Sequence, residues 1–132
     1  MPRVDRRELA AIFAGGCVGA LARTGLVKAM PHGPGSWPWA TFLANIAGTL
    51  LLAYFVTRLQ ERLPLSAYRR PFLGTGLCGA LTTFSTMQFE LLDMLRSGHE
   101  TLAVGYAAAG VVSGFASVFV ATKLTRRVAV AA

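Results

Sequence analysis

One interrupted stretch constrains the fold of this chain more than any other, the segment from Gly74 to Glu90, which reads GTGLCGALTTFSTMQFE. It begins as an apolar segment of membrane type, but its glycines weaken any helix there. Four hydroxyl residues then follow within five positions, namely Thr82, Thr83, Ser85 and Thr86. In hydrocarbon, irregular backbone persists only where it faces protein or a polar cavity, because every N–H and C=O must be satisfied. The stretch therefore predicts a broken membrane helix and, since freed carbonyls and helix ends coordinate ions, a candidate ion site.

The composition indicates a membrane protein. Of the 132 residues, 54% are hydrophobic and 14% are charged, whereas a soluble domain carries about 25% charged residues. The formal net charge is +7, but most of the charges lie at the ends of apolar runs, where they suit lipid headgroups. A nucleic-acid-binding protein would gather them on one soluble face. We therefore expect the chain to lie in a lipid bilayer and to have no nucleic acid as a partner.

The apolar runs predict four membrane spans, each roughly 20 residues long and so long enough to cross the hydrocarbon. They lie at about residues 9–27, 39–57, 71–95 and 101–124. A turn-rich segment, MPHGPGSWP, joins the first two, and a polar connection from Arg58 to Arg70 joins the second and third. His32 and His99 lie in connections and have no evident partner. The expected fold class is an all-α membrane protein, a single domain of four transmembrane helices over residues 1–132.

Two polar residues inside the spans allow two interpretations each. Asn45 either makes a hydrogen bond between helices, which stabilises packing by roughly 1 kcal/mol, or lines a pore. Arg23 either has a structural or vestibule role near the interface, where its long side chain reaches the headgroups, or contacts an ion directly. The small residues Gly15 and Gly19 have the spacing that lets another helix approach closely in lipid, which favours tight packing.

The sequence argues against an enzyme. It contains no Ser-His-Asp, Cys-His or HExxH set and no Walker loop, and the surroundings of Cys17 and Cys78 lack metal-ligand spacing. A channel, a small transporter or an accessory subunit remains, and a chain this short is expected to form a dimer. Small multidrug exporters need a carboxylate within the first helix. Here Glu8 lies at the mouth of that span, and Glu90 and Asp93 lie toward one end of the third.

Three ordered motifs carry a resemblance to a known family. The first span contains GGCVGALAR, the second contains WPWATFLANIAGTLLL, and the third contains GLCGALTTFSTMQFE, from Gly76 to Glu90. The third is close to the signature GxxGGLTTFSTFxxE of the Fluc/CrcB fluoride channels. The chain resembles this family over nearly its whole length.

The resemblance implies an antiparallel dimer with two fluoride pathways and a third helix broken near the membrane midplane. Backbone carbonyls of the residues matching Gly79 and Thr82 would hold a structural Na⁺ that is not transported. Asn45 and Phe84 would line the pathway, with Thr83 and Ser85 as supporting donors. The chemistry suits fluoride, because an amide supplies two donors and an aromatic ring edge is electropositive. A fixed charge in the pore would hold the ion too firmly for conduction.

The chain departs from the family pattern at several pathway positions. Met87 replaces the second phenylalanine of TTFSTF, and a thioether lacks the ring quadrupole. Because Phe84 and Met87 are three residues apart, we expect them to share a helix face. Gly110 and Gly114 lie where some relatives have hydroxyl residues, which leaves Tyr106 as the chief polar candidate of the fourth span.

The distribution of positive charge predicts one orientation in the cell membrane. With both termini in the cytoplasm, ten of the thirteen Lys and Arg residues lie on the cytoplasmic side and three on the other. Those three are Arg23, Lys28 and Arg96. Such a bias opposes insertion of the same chain in both directions. We therefore expect an antiparallel dimer with an oppositely oriented homologue that supplies the missing phenylalanine. A homodimer and a non-conducting or half-site subunit of a heterodimer are the alternatives.

Overall fold

The computed structural model describes residues 3–61 and 68–130, with the side chains of 59–61 and 129–130 outside the description. All regular structure in these residues is helical. The elements are α1 (Arg6–Ala29), α2 (Trp39–Glu61), a π-helix (Pro71–Cys78), α3 (Gly79–Leu81), α4 (Phe84–Arg96) and α5 (Glu100–Val130).

The predicted fold class is confirmed, with an interrupted third pass. Within the described residues, three helical segments are long and apolar enough to cross a membrane, Arg6–Ala29, Trp39–Arg58 and Glu100–Val128. The remaining pass consists of the π-helix, α3 and α4, and it is broken at Thr82 and Thr83. The chain is therefore a multi-pass membrane protein. Within the polar connection expected between the second and third spans, positions 62–67 lie outside the described residues.

The outer helix ends lie beyond the predicted spans. Whereas hydropathy ends the fourth span near residue 124, α5 continues to Val130 through Arg126 and Arg127. Arginine is a good helix former, so a helix can continue past the point where its side chains become polar. At the other terminus, the Asp5 side chain accepts a hydrogen bond of 2.9 Å from Arg7 N and caps α1.

The first half of the third pass packs closely along α1. Its π-helix has the wide i to i+5 pattern, since Gly79 N donates to Gly74 O. A Cβ atom added to Gly15 would strike Phe72 O, and one added to Gly19 would strike Leu77 O. The small-residue pair of the first span thus brings α1 against the backbone of the π-helix, as its spacing predicts.

The second half of the third pass packs on α5, where the core is aromatic and aliphatic. Met94, Ala103 and Tyr106 are buried there, and Trp37 packs edge-on against Tyr106 with ring centroids 5.3 Å apart. Elsewhere the helices expose large apolar side chains, among them Phe13 at 75% and Phe115 at 76%. Exposed apolar surface of this extent suits lipid or a second subunit.

Candidate ion pathway at the helix break

The break in the third pass is a two-residue extended segment. Thr82 has φ −78° and ψ 150°, and Thr83 has φ −149° and ψ 116°. The hydroxyl of Thr83 accepts a hydrogen bond of 3.2 Å from Thr86 N and so caps the N-terminus of α4. It also donates to Thr86 Oγ1 at 3.0 Å. The run of hydroxyl residues therefore starts a new helix after the old one has ended.

Asn45 of α2 pairs with the backbone at this break. Its Oδ1 accepts a hydrogen bond of 2.7 Å from Thr83 N, and its Nδ2 donates to Thr83 O at 3.2 Å. The amide thus satisfies both peptide groups of Thr83 and keeps one N–H of Nδ2 for another acceptor. The hydrogen bond between helices is observed, and Asn45 also lines a cavity, so the two interpretations of this residue are compatible.

The same bonds free two carbonyls on the N-terminal side of the break. In a continuous helix, Thr83 N would donate to Gly79 O and Thr86 N would donate to Thr82 O. Here the first amide donates to Asn45 and the second to the Thr83 hydroxyl. Gly79 is exposed, and a Cβ atom added there would meet no atom within 4 Å. Carbonyl oxygens on an open surface suit a hard cation.

A small cavity of about 60 Å³ lies beside Asn45 between α2, α4 and α5. Met87 and Tyr106 form part of its wall. Its other lining residues are Phe42, Ile46, Thr49, Gly110, Ser113 and Gly114. An open groove of about 900 Å³ shares Thr49, Gly110 and Gly114 with this cavity and extends along α5 to Lys123 and Arg126. Cavity and groove therefore adjoin at these three residues, and we refer to the two together as the recess.

A second cavity, of about 270 Å³, lies beside the break among residues of α1, α2 and α4. Arg23 lines it together with Thr41, Thr83 and Thr86. Thr24 and Val27 complete its wall. Asn45 lines the first cavity and Thr83 lines the second, so their two hydrogen bonds join the walls of the two cavities.

Phe84 and Met87 lie in different surroundings. Phe84 is 72% exposed, whereas Met87 is half-buried and packs against the core around Tyr106. Ser85 is also exposed, and its hydroxyl lies 3.4 Å from Thr83 Oγ1. Neither Phe84 nor Ser85 lines the two cavities, and both remain accessible to a second subunit.

Sequence reasoning missed a polar cluster around Glu90. This carboxyl group is 7% exposed, and it accepts hydrogen bonds from Thr41 at 2.5 Å and from Tyr106 at 2.8 Å. His32 lies in a loop, as expected, and its Nε2 is 3.7 Å from Glu90 Oε1, a contact that the sequence did not reveal. Thr41 lines the cavity of Arg23 and Tyr106 that of Asn45. The signal was Glu90 itself, since an acid within an apolar span requires partners.

Comparison with known proteins shows to which family the chain belongs. The family described as CrcB-like protein, Camphor Resistance (CrcB), matches residues 10–122. The chain belongs to the CrcB family. Fluoride-specific ion channel FluC 1 of Mycolicibacterium paratuberculosis is 57% identical over 130 residues, 98% of either chain. Its namesake in Mycobacterium bovis is 56% identical over 128 residues, 97% of either chain. Fluoride-specific ion channel FluC of Hyphomonas neptunium is 42% identical over 122 residues, 89% of this chain and 94% of its own.

The CrcB match extends from α1 into α5 and includes every lining residue of both cavities. It also includes the lining residues of the groove, with the exception of Lys123 and Arg126. Within this CrcB chain, the structure brings Asn45, Thr83, Met87 and Tyr106 together around the break. Arg23 joins them through the second cavity. Phe84 and Ser85 lie on the outer surface, next to the same break.

Proposed function

We propose that the chain is a fluoride-selective passive channel that exports F⁻ and lowers its cytoplasmic concentration. The observation that carries the proposal is the Asn45–Thr83 pair, which joins the walls of two cavities at a helix break in a chain whose CrcB relatives are named fluoride-specific channels. A passive pathway needs no reaction chemistry. It requires donors that replace the water of the ion one site at a time.

The donor set suits a small anion. Asn45 retains one amide N–H beside the small cavity, which Tyr106 also lines. Several hydroxyl residues line this cavity or the second one. Arg23 offers positive charge in the second cavity, as a vestibule residue would. Because no residue lining the small cavity is cationic, an ion there is held by dipoles and can leave again.

The proposed assembly is an antiparallel dimer with an oppositely oriented homologue. The exposure of Phe84 supports the proposed dimer, because an exposed ring next to the break can contact a second subunit and complete a pathway at the interface. The positive-charge bias supports a partner of different sequence. Such a partner would also supply the ring that Met87 lacks. The homodimer is the alternative, and copies of this chain would then insert into the membrane in both orientations.

A structural Na⁺ at the centre of the dimer is part of the proposal. The freed carbonyls of Gly79 and Thr82 suit it, because Na⁺ is a small hard cation and two such oxygens from each subunit would surround it. When bound, the ion would tie the two broken helices together and place positive charge near the pathway. In this chain, Asn45 and Thr83 keep the two carbonyls available by occupying their helical donors.

The test is fluoride efflux from liposomes that contain the purified chain, with chloride as the competing anion and Na⁺ present. Fast efflux that prefers fluoride over chloride is expected from the chain alone if it forms a homodimer. It is expected only after co-expression with an oppositely oriented homologue if the dimer is mixed. Silence in both preparations would contradict the proposal.

A half-site subunit is the second candidate, and Met87 favours it. In this case the mixed dimer would conduct through one pathway rather than two, and the chain alone would be silent. A reporter fused to the C-terminus tests the orientation on which this depends. We expect the reporter in the cytoplasm only, and equal signal on both membrane faces would contradict a fixed orientation.

A further inference from the structure

Two hydroxyl residues to which the resemblance assigns no role line the small cavity beside Asn45. Thr49 lies one turn after Asn45 on α2, and Ser113 lies on α5 across the cavity. Thr49 Oγ1 donates to Asn45 O at 2.7 Å, and Ser113 Oγ donates to Gly110 O at 3.2 Å. Both hydroxyls therefore carry a proton that currently bonds to a carbonyl of their own helix.

The neighbouring positions on α5 contribute no donor. Gly110 and Gly114 line both the cavity and the groove without a side chain. A Cβ atom added to Gly110 would lie 3.6 Å from Met87 Sδ, and one added to Gly114 would meet no atom within 4 Å. Met87 thus packs over the first glycine, while the space at the second stays open.

Thr49 occupies the junction between the groove and the cavity. It lines both, together with the two glycines, whereas the groove beyond it is mainly apolar until Lys123, whose Nζ lies 4.3 Å from the centroid of the Phe119 ring. An anion that moves from the cationic end of the groove into the cavity of Asn45 therefore crosses between two spaces that Thr49 lines. Ser113 lines the cavity but not the groove.

We propose that Thr49 and Ser113 are specificity-determining donors that bind fluoride in turn between the groove and Asn45. The inference rests on the proposed function and adds two residues to its pathway. Each hydroxyl rotates from its carbonyl to the passing ion, because a hydrogen bond to an anion is about twice as strong as one between neutral groups. When the ion leaves, the carbonyl takes the proton back, so neither donor is left unpaired.

Matched substitutions test the proposal in the assembly that conducts. Thr49→Val and Ser113→Ala remove the hydroxyls, whereas Thr49→Ser keeps one. The controls are Thr57→Val and Ser117→Ala, buried hydroxyl residues on the same two helices that lie outside the cavity and the groove. Thr57 also donates to a carbonyl four residues earlier, Ala53 O, at 2.7 Å. Thr57 and Thr49 thus make the same kind of bond within their helix, but Thr57 lines neither the cavity nor the groove.

We expect Thr49→Val and Ser113→Ala each to lower fluoride efflux at least about tenfold and to reduce the preference for fluoride over chloride. Thr49→Ser and both controls should retain wild-type rates. Adding Gly114→Ser to Thr49→Val should restore part of the loss, since the new hydroxyl enters open space on the same recess. Thermal midpoints of all variants report whether folding is retained.

The outcomes separate this proposal from the proposed function. If the wild type conducts and Thr49→Val loses no more flux or selectivity than Thr57→Val, the two donors are not part of the pathway and the inference is overturned. If Gly114→Ser fails to restore any flux, the loss at Thr49 is not the loss of a donor, which also overturns it. A wild type silent in both assemblies overturns the proposed function itself.

Discussion

Asn45 and Thr83 are 38 residues apart and exchange two hydrogen bonds, one of 2.7 Å to the Asn45 oxygen and one of 3.2 Å from its nitrogen. A side-chain amide has the donor and acceptor of a peptide group, so it replaces the missing helical partners of Thr83. One residue of α2 thus stabilises a helix break that hydrocarbon would otherwise penalise.

Replacement of Asn45 by leucine should both destabilise the fold and stop fluoride flux. The apolar side chain removes the partner that Asn45 provides for Thr83 N–H and C=O, at a cost of about 1–3 kcal/mol for each group that finds no other partner. It also removes the remaining amide donor beside the small cavity. The thermal midpoint in detergent and liposome efflux measure the two effects.

Leu43→Ala serves as the control on the same helix, since Leu43 is 40% exposed and outside the cavity. We expect its flux to stay near that of the wild type. An Asn45→Leu variant with unchanged midpoint and flux would contradict the role of the pair.

The glycines of α1 should differ sharply in their tolerance of a methyl group. Alanine at Gly15 or Gly19 would press on the π-helix backbone, and overpacking of this kind costs about 1–3 kcal/mol. Alanine at Gly16 or Gly25 meets nothing within 4 Å. There the better helix propensity should stabilise by up to about 1 kcal/mol. Thermal unfolding of the four variants measures this difference, and equal midpoints would contradict the close approach.

The buried hydroxyl of Tyr106 should contribute more to stability than the exposed hydroxyl of Tyr54. Tyr106→Phe keeps the edge-on contact with Trp37 but removes the donor to the buried Glu90 carboxyl group. A buried polar group that loses its hydrogen-bond partner costs about 1–3 kcal/mol, and the midpoint should fall accordingly. Tyr54→Phe is the control, because Tyr54 is 42% exposed and its ring alone contacts Phe55 and Arg58. Equal midpoints would show that Glu90 finds another donor.

The sequence predicted the break and its polar partners because such residues are costly in an apolar span and therefore conspicuous. Asn45, Arg23 and the hydroxyl residues all stand out in this way. The pairing itself was not predictable, since nothing in the local pattern connects Asn45 to Thr83 or Glu90 to Thr41, 49 residues away. Those contacts arise from the packing of whole helices.

Other features could not be predicted because nothing in the local sequence distinguishes the residues that form them. The π-helix follows no hydropathy signal, and His32 is a single histidine in a turn-rich loop until the fold brings it within 3.7 Å of Glu90. Phe84 and Met87 lie three residues apart on α4, as the expectation of a shared face requires, but the sequence did not reveal that their burial differs. Phe84, the first residue of α4 after the break, is exposed, whereas Met87 is half-buried.

Replacement of Met87 by phenylalanine should raise fluoride flux in the assembly that conducts. The ring would bring an electropositive edge to the wall of the small cavity, where the thioether has none. Space is available because Met87 Sδ faces Gly110, which has no side chain. Met87→Leu is the control, since it keeps an apolar group of similar volume without a ring. A gain in both variants would show that size rather than the ring controls the flux.

Sodium should stabilise the assembled protein if the carbonyls of Gly79 and Thr82 hold it. Exchange of Na⁺ for choline at constant ionic strength is expected to lower the thermal midpoint, because an ion bound only to the folded state stabilises it by about 2.7 kcal/mol at one hundred times its dissociation constant. K⁺ should stabilise less, since it is larger. Equal midpoints in Na⁺ and choline would contradict the site.

Asn45→Leu provides the internal control for this sodium effect. Without the amide, Thr83 N is free to donate to Gly79 O as in a continuous helix, and the carbonyl is then less available to a cation. The sodium-dependent part of the midpoint should therefore shrink in this variant, whereas Gly25→Ala, whose added methyl group meets no atom within 4 Å, should keep it. A full sodium effect in Asn45→Leu would show that the ion binds elsewhere.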